Sequence, residues 1–356
     1  MGWGTKINQM KIAYIVSSLE NAGPINVVLD LVKVMTENGH ECEVFYFSNR
    51  NAQPFPCKTH KLSFSSPFDW NAYDVIHTHG GRPDGFVFLR KPLKCKACTI
   101  STIHSFIFED HAYKYGRFKS FFTTRAILAL SRRHRKVIVL SKTAKEYYTP
   151  FISPKRLTYV YNTRVIDINQ TIEPLDEISI AKFRKNFDVL IGTACGIHPR
   201  KGLEQIIMAL PAMPKTGFIA IGDGSSKDNL LQLAADLKCQ NQILFLGHRT
   251  NAYRYLTQMD IFVIPSRSEG FPLAMLEAAS ASKAIVSSDI PVFKEFFNDK
   301  EVCKFRLDDI PSLVSAIKET VAHKSEYGQN AKARFEHDYS PDCFYYSHLK
   351  IYTCPN

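Results

Sequence analysis

Residues 261–282 read IFVIPSRSEGFPLAMLEAASAS. An apolar run stops at Pro265, a polar loop follows, and an Ala/Leu-rich segment begins at Pro272, whose fixed φ suits the first position of a helix. Strand, loop and helix in that order make one unit of a parallel α/β sheet. The pattern extends both ways along the chain. Short β-rich runs at 188–194 (DVLIGTA), 217–221 (GFIAI), 242–246 (QILFL), 260–264 (DIFVI) and 284–287 (AIVS) make one sheet. Those at 11–17 (KIAYIVS), 42–47, 74–77 (DVIH), 99–103 and 136–140 (KVIVL) make another. Between them, 160–180 (VYNTRVIDINQTIEPLDEISI) loses periodicity and reads as a connection.

The expected architecture is therefore α/β, with two Rossmann-like parallel-sheet domains facing a central cleft. Residues 1–168 form the first and 169–335 the second. Residues 336–356 form a C-terminal helix, rich in aromatics, that packs back on the first domain. In open parallel sheets ligands bind beyond the carboxyl ends of the strands, so the chemistry belongs in the strand-to-helix loops.

The length of 356 residues suits two domains, and 45% hydrophobic with 22% charged residues is ordinary globular usage. The net charge of +11 is uneven: residues 1–165 hold 24 Lys/Arg against 11 Asp/Glu, and residues 166–356 hold 21 against 23. A basic first half points to an anionic partner. Nine scattered cysteines form no disulfide framework, and Cys95-x2-Cys98 has no second pair at zinc spacing, so no metal site is expected. The N-terminus lacks a signal-peptide core and cleavage site, position 6 is Lys where a myristoylation signal needs Ser or Thr, and no apolar run spans a bilayer. The expected location is cytoplasmic, peripheral on the inner face of the cytoplasmic membrane.

Three loops in the second half suit an anionic ligand. Around Gly270 and Phe271 the backbone N–H groups ahead of the 272–282 helix are free to face an anion. Glu269 and Glu277 lie eight residues apart. Eight helical residues advance ~12 Å, whereas carboxylate pairs that hydrolyse glycosides sit ~5–9.5 Å apart, so separate tasks fit better than hydrolysis. Glu269 would serve the reacting sugar, and Glu277 would accept hydrogen bonds from paired hydroxyls such as those of a ribose. Taken singly, each is equally well a solvated residue. In the loop after DVLIGTA, Arg200, Lys201 and Gly202 precede an amphipathic helix; adjacent cations at a helix entrance suit a diphosphate. Gly222-Asp223-Gly224 follows FIAI, and its glycines allow close approach of backbone to ligand. The third Gly of a dinucleotide fingerprint is missing.

In this order the segments resemble the retaining glycosyltransferases of family 4, which have the GT-B fold, over roughly residues 11–340. SRSEGFPLAMLEA resembles the family's E-x7-E signature, HPRKGLEQIIMAL its phosphate loop, and IGDG the following strand and turn. Gly23-Pro24 resembles its glycine-rich loop near the donor phosphates, TIHS places His104 where the family has a histidine beside the transferred sugar, and VYNTRVI keeps Asn162 of its interdomain segment. The sequence departs from the family where Cys195-Gly196-Ile197 replaces the segment carrying an Arg before Lys201; Arg200 is the substitute cation. The resemblance implies transfer of a hexose or N-acetylhexosamine from a nucleotide diphosphate sugar, UDP favoured, with retention and without an obligatory metal or other cofactor. It assigns Glu269, His104 and Lys201 to catalysis.

The acceptor implied by the family and the basic first half is a polyprenyl-diphosphate-linked oligosaccharide, as in bacterial O-antigen or capsule synthesis. His79, Arg82, Glu109 and Asp110 are candidates to bind it. From Lys114 to Lys145 there are ten Lys/Arg and no acid, interleaved with Tyr113, Tyr115, Phe118, Phe121 and Phe122. Such a segment, 113–145, can rest on an anionic membrane, or be a helix with its aromatics in the core. Cations with aromatics can also hold single-stranded nucleic acid, but the phosphate loops favour a small nucleotide, so no nucleic acid is expected. The competing readings are a nucleotide-sugar epimerase of GT-B fold and a catalytically degenerate lipid- or partner-binding module.

Overall fold

The computed structural model describes residues 8–48 and 52–353, with the side chains of 112–115 and 117 outside that description. The N-terminal segment MGWGTKI, Cys354, and the side chains of Tyr113, Lys114 and Tyr115, all used in the sequence reading, lie outside the described residues. The chain divides into two compact units. One runs up to Val165 and resumes at Pro341; the other is Ile166–Ser340.

In the first unit the order is β1 (Lys11–Ser18), α1 (Gly23–Glu37), β2 (Glu41–Ser48), β3 (Lys58–Lys61), β4 (Val75–His79), α2 (Gly81–Arg90) and β5 (Cys98–Thr102). Then follow α3 (Ile107–Tyr115), α4 (Arg117–Leu130), β6 (Lys136–Val139), α5 (Lys142–Tyr148) and β7 (Leu157–Tyr159). The pairings between these strands are parallel, in the order β3-β2-β1-β4-β5-β6-β7. The central strands β4 (VIHTH) and β5 (CTIST) are buried along their whole length, as befits strands with helices on both faces. Ala13, Ile15, Ile76, Phe86 and Trp70 pack together on one face of this sheet.

The second unit contains α6 (Pro174–Arg184), β8 (Val189–Ala194), α7 (Leu203–Ala209), β9 (Thr216–Ile221), α8 (Lys227–Asp236), β10 (Ile243–Gly247), β11 (Ile261–Ile264) and α9 (Leu273–Ser280). It continues with β12 (Ala284–Ser288), α10 (Pro291–Phe296), β13 (Cys303–Phe305), α11 (Ile310–Ala322) and α12 (Lys324–Asp338). Its parallel sheet has the order β10-β9-β8-β11-β12-β13. The final helix, α13 (Pro341–Tyr352), returns to the first unit, where Tyr345 Oη lies 3.1 Å from His40 Nε2 and Tyr352 Oη lies 2.8 Å from His77 Nδ1.

Both sheets place the fourth major strand against the first, the arrangement of doubly wound dinucleotide-binding folds. Chain direction across the sheet reverses between β1 and β4, and again between β8 and β11, so loops leaving those strands diverge and open a crevice. The sequence places the major strands within a residue or two; β3 (KTHK), β7 (LTY) and β13 (CKF) go unrecognised. Each is an outermost strand of three or four residues, too short and too polar to show a pattern.

Candidate active site

The loops after β8 and β11 meet at the switch point of the second unit. Gly202, at φ +66°, turns the β8 loop into α7. A Cβ there would stand 2.2 Å from the backbone oxygen of Pro265, so only glycine lets the two loops touch. Arg267 then fastens them. Its backbone N–H donates to Arg200 O at 2.9 Å, one guanidinium nitrogen reaches Pro199 O at 3.0 Å and Glu204 at 2.6 Å, and the other reaches Asp308 at 2.5 Å.

This clamp brings Arg200 and Lys201 to Glu269. Lys201 Nζ donates to Glu269 Oε1 at 2.6 Å, and Ser266 Oγ donates to the same oxygen at 2.7 Å. Ser266 is itself held by Ser288, whose hydroxyl donates to Ser266 O at 2.6 Å. Arg200 Nη1 lies 3.7 Å from Glu269 Oε2 and donates to Ser268 O at 2.7 Å. Glu269 is 6% exposed. Burial alone would raise its pKa, but the charges of Lys201 and Arg200, with the hydrogen bonds from Lys201 and Ser266, hold it below the ordinary carboxylate value. The result is an ionised carboxylate whose Oε1 accepts two hydrogen bonds and whose Oε2 faces Arg200. Two cations against one anion leave a net positive charge for a phosphate.

The other residues of this loop set are placed as follows. Glu277 is half-buried in the second turn of α9. Pro272 is the N-cap of that helix and not its first helical residue. Gly270 is half-buried in the preceding loop, while the Phe271 ring is buried against Phe296, with centroids 4.3 Å apart. At Gly222 and Gly224 the missing side chains admit neighbouring backbone, since a Cβ would lie 1.9 Å from Cys195 O at Gly222 and 2.3 Å from Ile197 O at Gly224. They seat the loop that carries Arg200 and Lys201. Burial pushes the Cys195 thiol up to about 11.

In the first unit, Gly23 opens α1 and a Cβ there would meet nothing within 4 Å. Asn162 is buried, and beside it Arg164 makes a buried ion pair with Asp30 at 2.5 Å. His104, in the loop after β5, is partly exposed and hydrogen-bonds through Nε2 to Nδ1 of His79 at 2.8 Å. That corrects the acceptor role expected of His79, which is 2% exposed and lies behind His104. Arg82 is exposed, its guanidinium 5.2 Å from the Phe47 ring centre. Glu109 and Asp110 occupy the first turn of α3. On α4, Phe118, Phe121 and Phe122 are 80%, 44% and 58% exposed, with the Arg125 guanidinium stacked 3.8 Å from the centre of the Phe121 ring. These aromatics face outward, against the alternative that places them in the core. Sequence reasoning missed Ser266 and Arg267; SR within PSRSEG carries no signal by itself, because the partners at 204, 288 and 308 are distant in the chain.

Among the described residues no helix is long and apolar enough to cross a membrane, and no group of three or more His, Cys, Asp or Glu could hold a metal ion.

Two parallel sheets, each with helices between its strands, define an α/β protein of two Rossmann-like domains, with cations and a buried carboxylate at the switch point of the second. The particular family follows from comparison with known proteins. The model of glycosyl transferases group 1 matches residues 181–334 and that of glycosyltransferase family 4 matches residues 23–164. The O-antigen biosynthesis glycosyltransferase WclY of Escherichia coli is 31% identical over 340 residues, covering 92% of this chain and 93% of WclY. An E. coli UDP-Gal:alpha-D-GlcNAc-diphosphoundecaprenol alpha-1,3-galactosyltransferase is 24% identical over 265 residues, covering 69% of this chain and 65% of that protein. The fold is shared with Anabaena Alr3699/HepE, solved with UDP and glucose, at a TM-score of 0.79 and 16% identity over 96% of this chain and 99% of that one. The chain belongs to the glycosyl transferases of group 1, family 4 type, with the GT-B fold expected from its motifs.

Proposed function

We propose that the protein is a retaining, metal-independent glycosyltransferase of bacterial surface polysaccharide synthesis. It moves a hexose or N-acetylhexosamine from a nucleotide diphosphate sugar, UDP favoured, to a polyprenyl-diphosphate-linked oligosaccharide. The observation that carries this reading is the Glu269–Lys201–Arg200 cluster at the switch point, an ionised carboxylate for the sugar beside two cations for the diphosphate. The near full-length similarity to WclY supports the O-antigen setting, and the galactosyltransferase relative supports UDP and a diphosphoundecaprenol-linked acceptor.

In this reading Arg200 and Lys201 stabilise the departing diphosphate, the role a metal ion would otherwise fill. Glu269 holds the sugar through Oε2, Glu277 receives the ribose hydroxyls, and His104 meets the transferred sugar. The C1–oxygen bond to the diphosphate breaks as the acceptor oxygen bonds to C1 on the same face, and the acceptor proton passes to the leaving phosphate oxygen. The exposed phenylalanines and cations of α4 rest on the anionic inner face of the cytoplasmic membrane, which brings the enzyme to its lipid-linked acceptor.

The test is incubation of the full chain with UDP- and GDP-sugars and an undecaprenyl-diphosphate saccharide in EDTA, read by mass spectrometry and by NMR of the new anomeric centre. A product of unchanged anomeric configuration is expected. An inverted product, or turnover only after metal is restored, would refute the mechanism.

A further inference from the structure

His79 ends β4 and is almost fully buried. Its Nδ1 lies 2.8 Å from Nε2 of His104, while its own Nε2 is buried with no hydrogen-bond partner. The neighbouring ring offers none. His77, 4.3 Å away between centroids, has both nitrogens engaged, Nδ1 with Tyr352 Oη at 2.8 Å and Nε2 with Thr102 Oγ1 at 2.7 Å.

One proton occupies the His79–His104 hydrogen bond, and which ring owns it is decided at the far side of His79. Both rings are neutral, since burial drives His104 down to about 3 and His79 well below its usual value. A neutral imidazole carries its proton on one nitrogen only. Were His104 the donor, His79 would have to carry its proton on Nε2, burying an N–H with nothing to receive it. Were His79 the donor, its Nε2 would be a bare lone pair. Buried orphan N–H groups are the rarer and costlier of the two, so the second arrangement prevails.

We propose that His79 is a positioning residue that donates Nδ1–H to His104 Nε2 and thereby fixes His104 with its proton on Nδ1. His104 then presents an uncharged N–H donor, aimed away from His79, to an oxygen of the transferred sugar or its leaving phosphate. This deepens the proposed function and rests on the reading of His104 as a sugar contact. In water the free histidine side chain favours the opposite form, with the proton on Nε2, so the arrangement is one the fold must impose.

Long-range nitrogen–proton NMR of the full chain labelled with 15N-histidine reads which ring nitrogen is protonated, and His104→Gln assigns the signals. His104 protonated on Nδ1 in the wild type between pH 6 and 8 is expected. In His79→Asn, whose amide N–H takes the place of Nδ1–H, the Nδ1 form should be kept. With UDP-galactose, UDP-glucose and UDP-N-acetylglucosamine as donors, kcat should fall roughly five- to tenfold in His79→Phe, the loss of one neutral hydrogen bond, with donor KM near wild type and kcat recovering in His79→Asn. His104 protonated on Nε2 in the wild type would overturn the proposal, a result that needs no variant to fold. So would wild-type kcat in His79→Phe. Wild-type turnover by His104→Ala would instead overturn the sugar-contact reading and the kinetic half of the proposal with it, leaving the NMR result to judge the His79 assignment by itself.

Discussion

Replacing Glu269 by Gln should move two properties of the site in opposite directions. In the wild type Lys201 is 2.6 Å and Arg200 3.7 Å from this carboxylate, so the two cations proposed to hold a diphosphate already share an anion. Removing the negative charge leaves them unopposed. A unit charge within about 6 Å of a phosphate, at an effective dielectric constant between that of a protein surface and water, is worth on the order of 1 kcal/mol, or roughly fivefold in affinity. UDP should therefore bind Glu269→Gln as tightly as the wild type or up to roughly fivefold more tightly. Turnover should fall by about 10²–10³, the usual loss when a positioned polar group at the reacting centre is removed. Stability should fall too. Breaking a buried pair costs ~3–5 kcal/mol, but the Lys201 and Arg200 side chains are 20% and 29% exposed and regain water, so about 1–2 kcal/mol is expected, a drop of roughly 3–8 °C in Tm. The sign of the pH dependence is fixed. Because the folded pKa of Glu269 is depressed, its contribution is present above the unfolded carboxylate value and is lost as pH falls through the folded one. The variant's deficit should accordingly shrink in acid. Calorimetry with UDP, steady-state turnover and thermal melts at several pH values make the test. Wild-type turnover, or UDP affinity falling in step with turnover, would refute the reasoning.

Other perturbations give equally definite outcomes. Gly222→Ala puts a methyl 1.9 Å from Cys195 O, a backbone atom that cannot swing aside; urea melts should show a loss of roughly 3 kcal/mol or more, and a wild-type midpoint would show that the loop is free to move. Asp30→Ala removes the carboxylate from a buried ion pair with Arg164, which is 7% exposed, and should cost about 3–5 kcal/mol in the same assay; a neutral effect would refute a stabilising role for the pair. Phe118→Ser with Phe122→Ser removes two exposed rings from α4 and should abolish sedimentation with phosphatidylglycerol vesicles at low salt without changing thermal stability; unchanged sedimentation would refute the membrane role of this helix.

The sequence makes the two sheets legible because their inner strands are unbroken apolar runs such as IAYIV and IFVI, and burial on both faces demands such runs. It also singles out the two loops that meet, since Arg200-Lys201-Gly202 and Ser268-Glu269-Gly270 each carry their charges within three residues. What it hides is direction and distance. In β4, VIHTH, a strand with both faces covered shows no alternation, so nothing in the string says that His77 and His79 are buried while His104 is partly exposed. Gly222 and Gly224 read as room for a ligand because the neighbour they admit, the backbone of Cys195 and Ile197, lies some 27 residues away. The clamp made by Arg267 depends on Glu204 and Asp308, and an arginine in a polar loop looks the same with or without them.

The most direct test of the central claim is a thermal-shift screen of the full chain against UDP, GDP, ADP and their sugars in EDTA. A ligand that binds only the folded protein stabilises it by about 2.7 kcal/mol at a hundredfold excess over Kd, roughly 5–10 °C for a unit of this size. The account predicts a shift of that order with UDP and its sugars that EDTA does not remove. No shift with any nucleotide would contradict it.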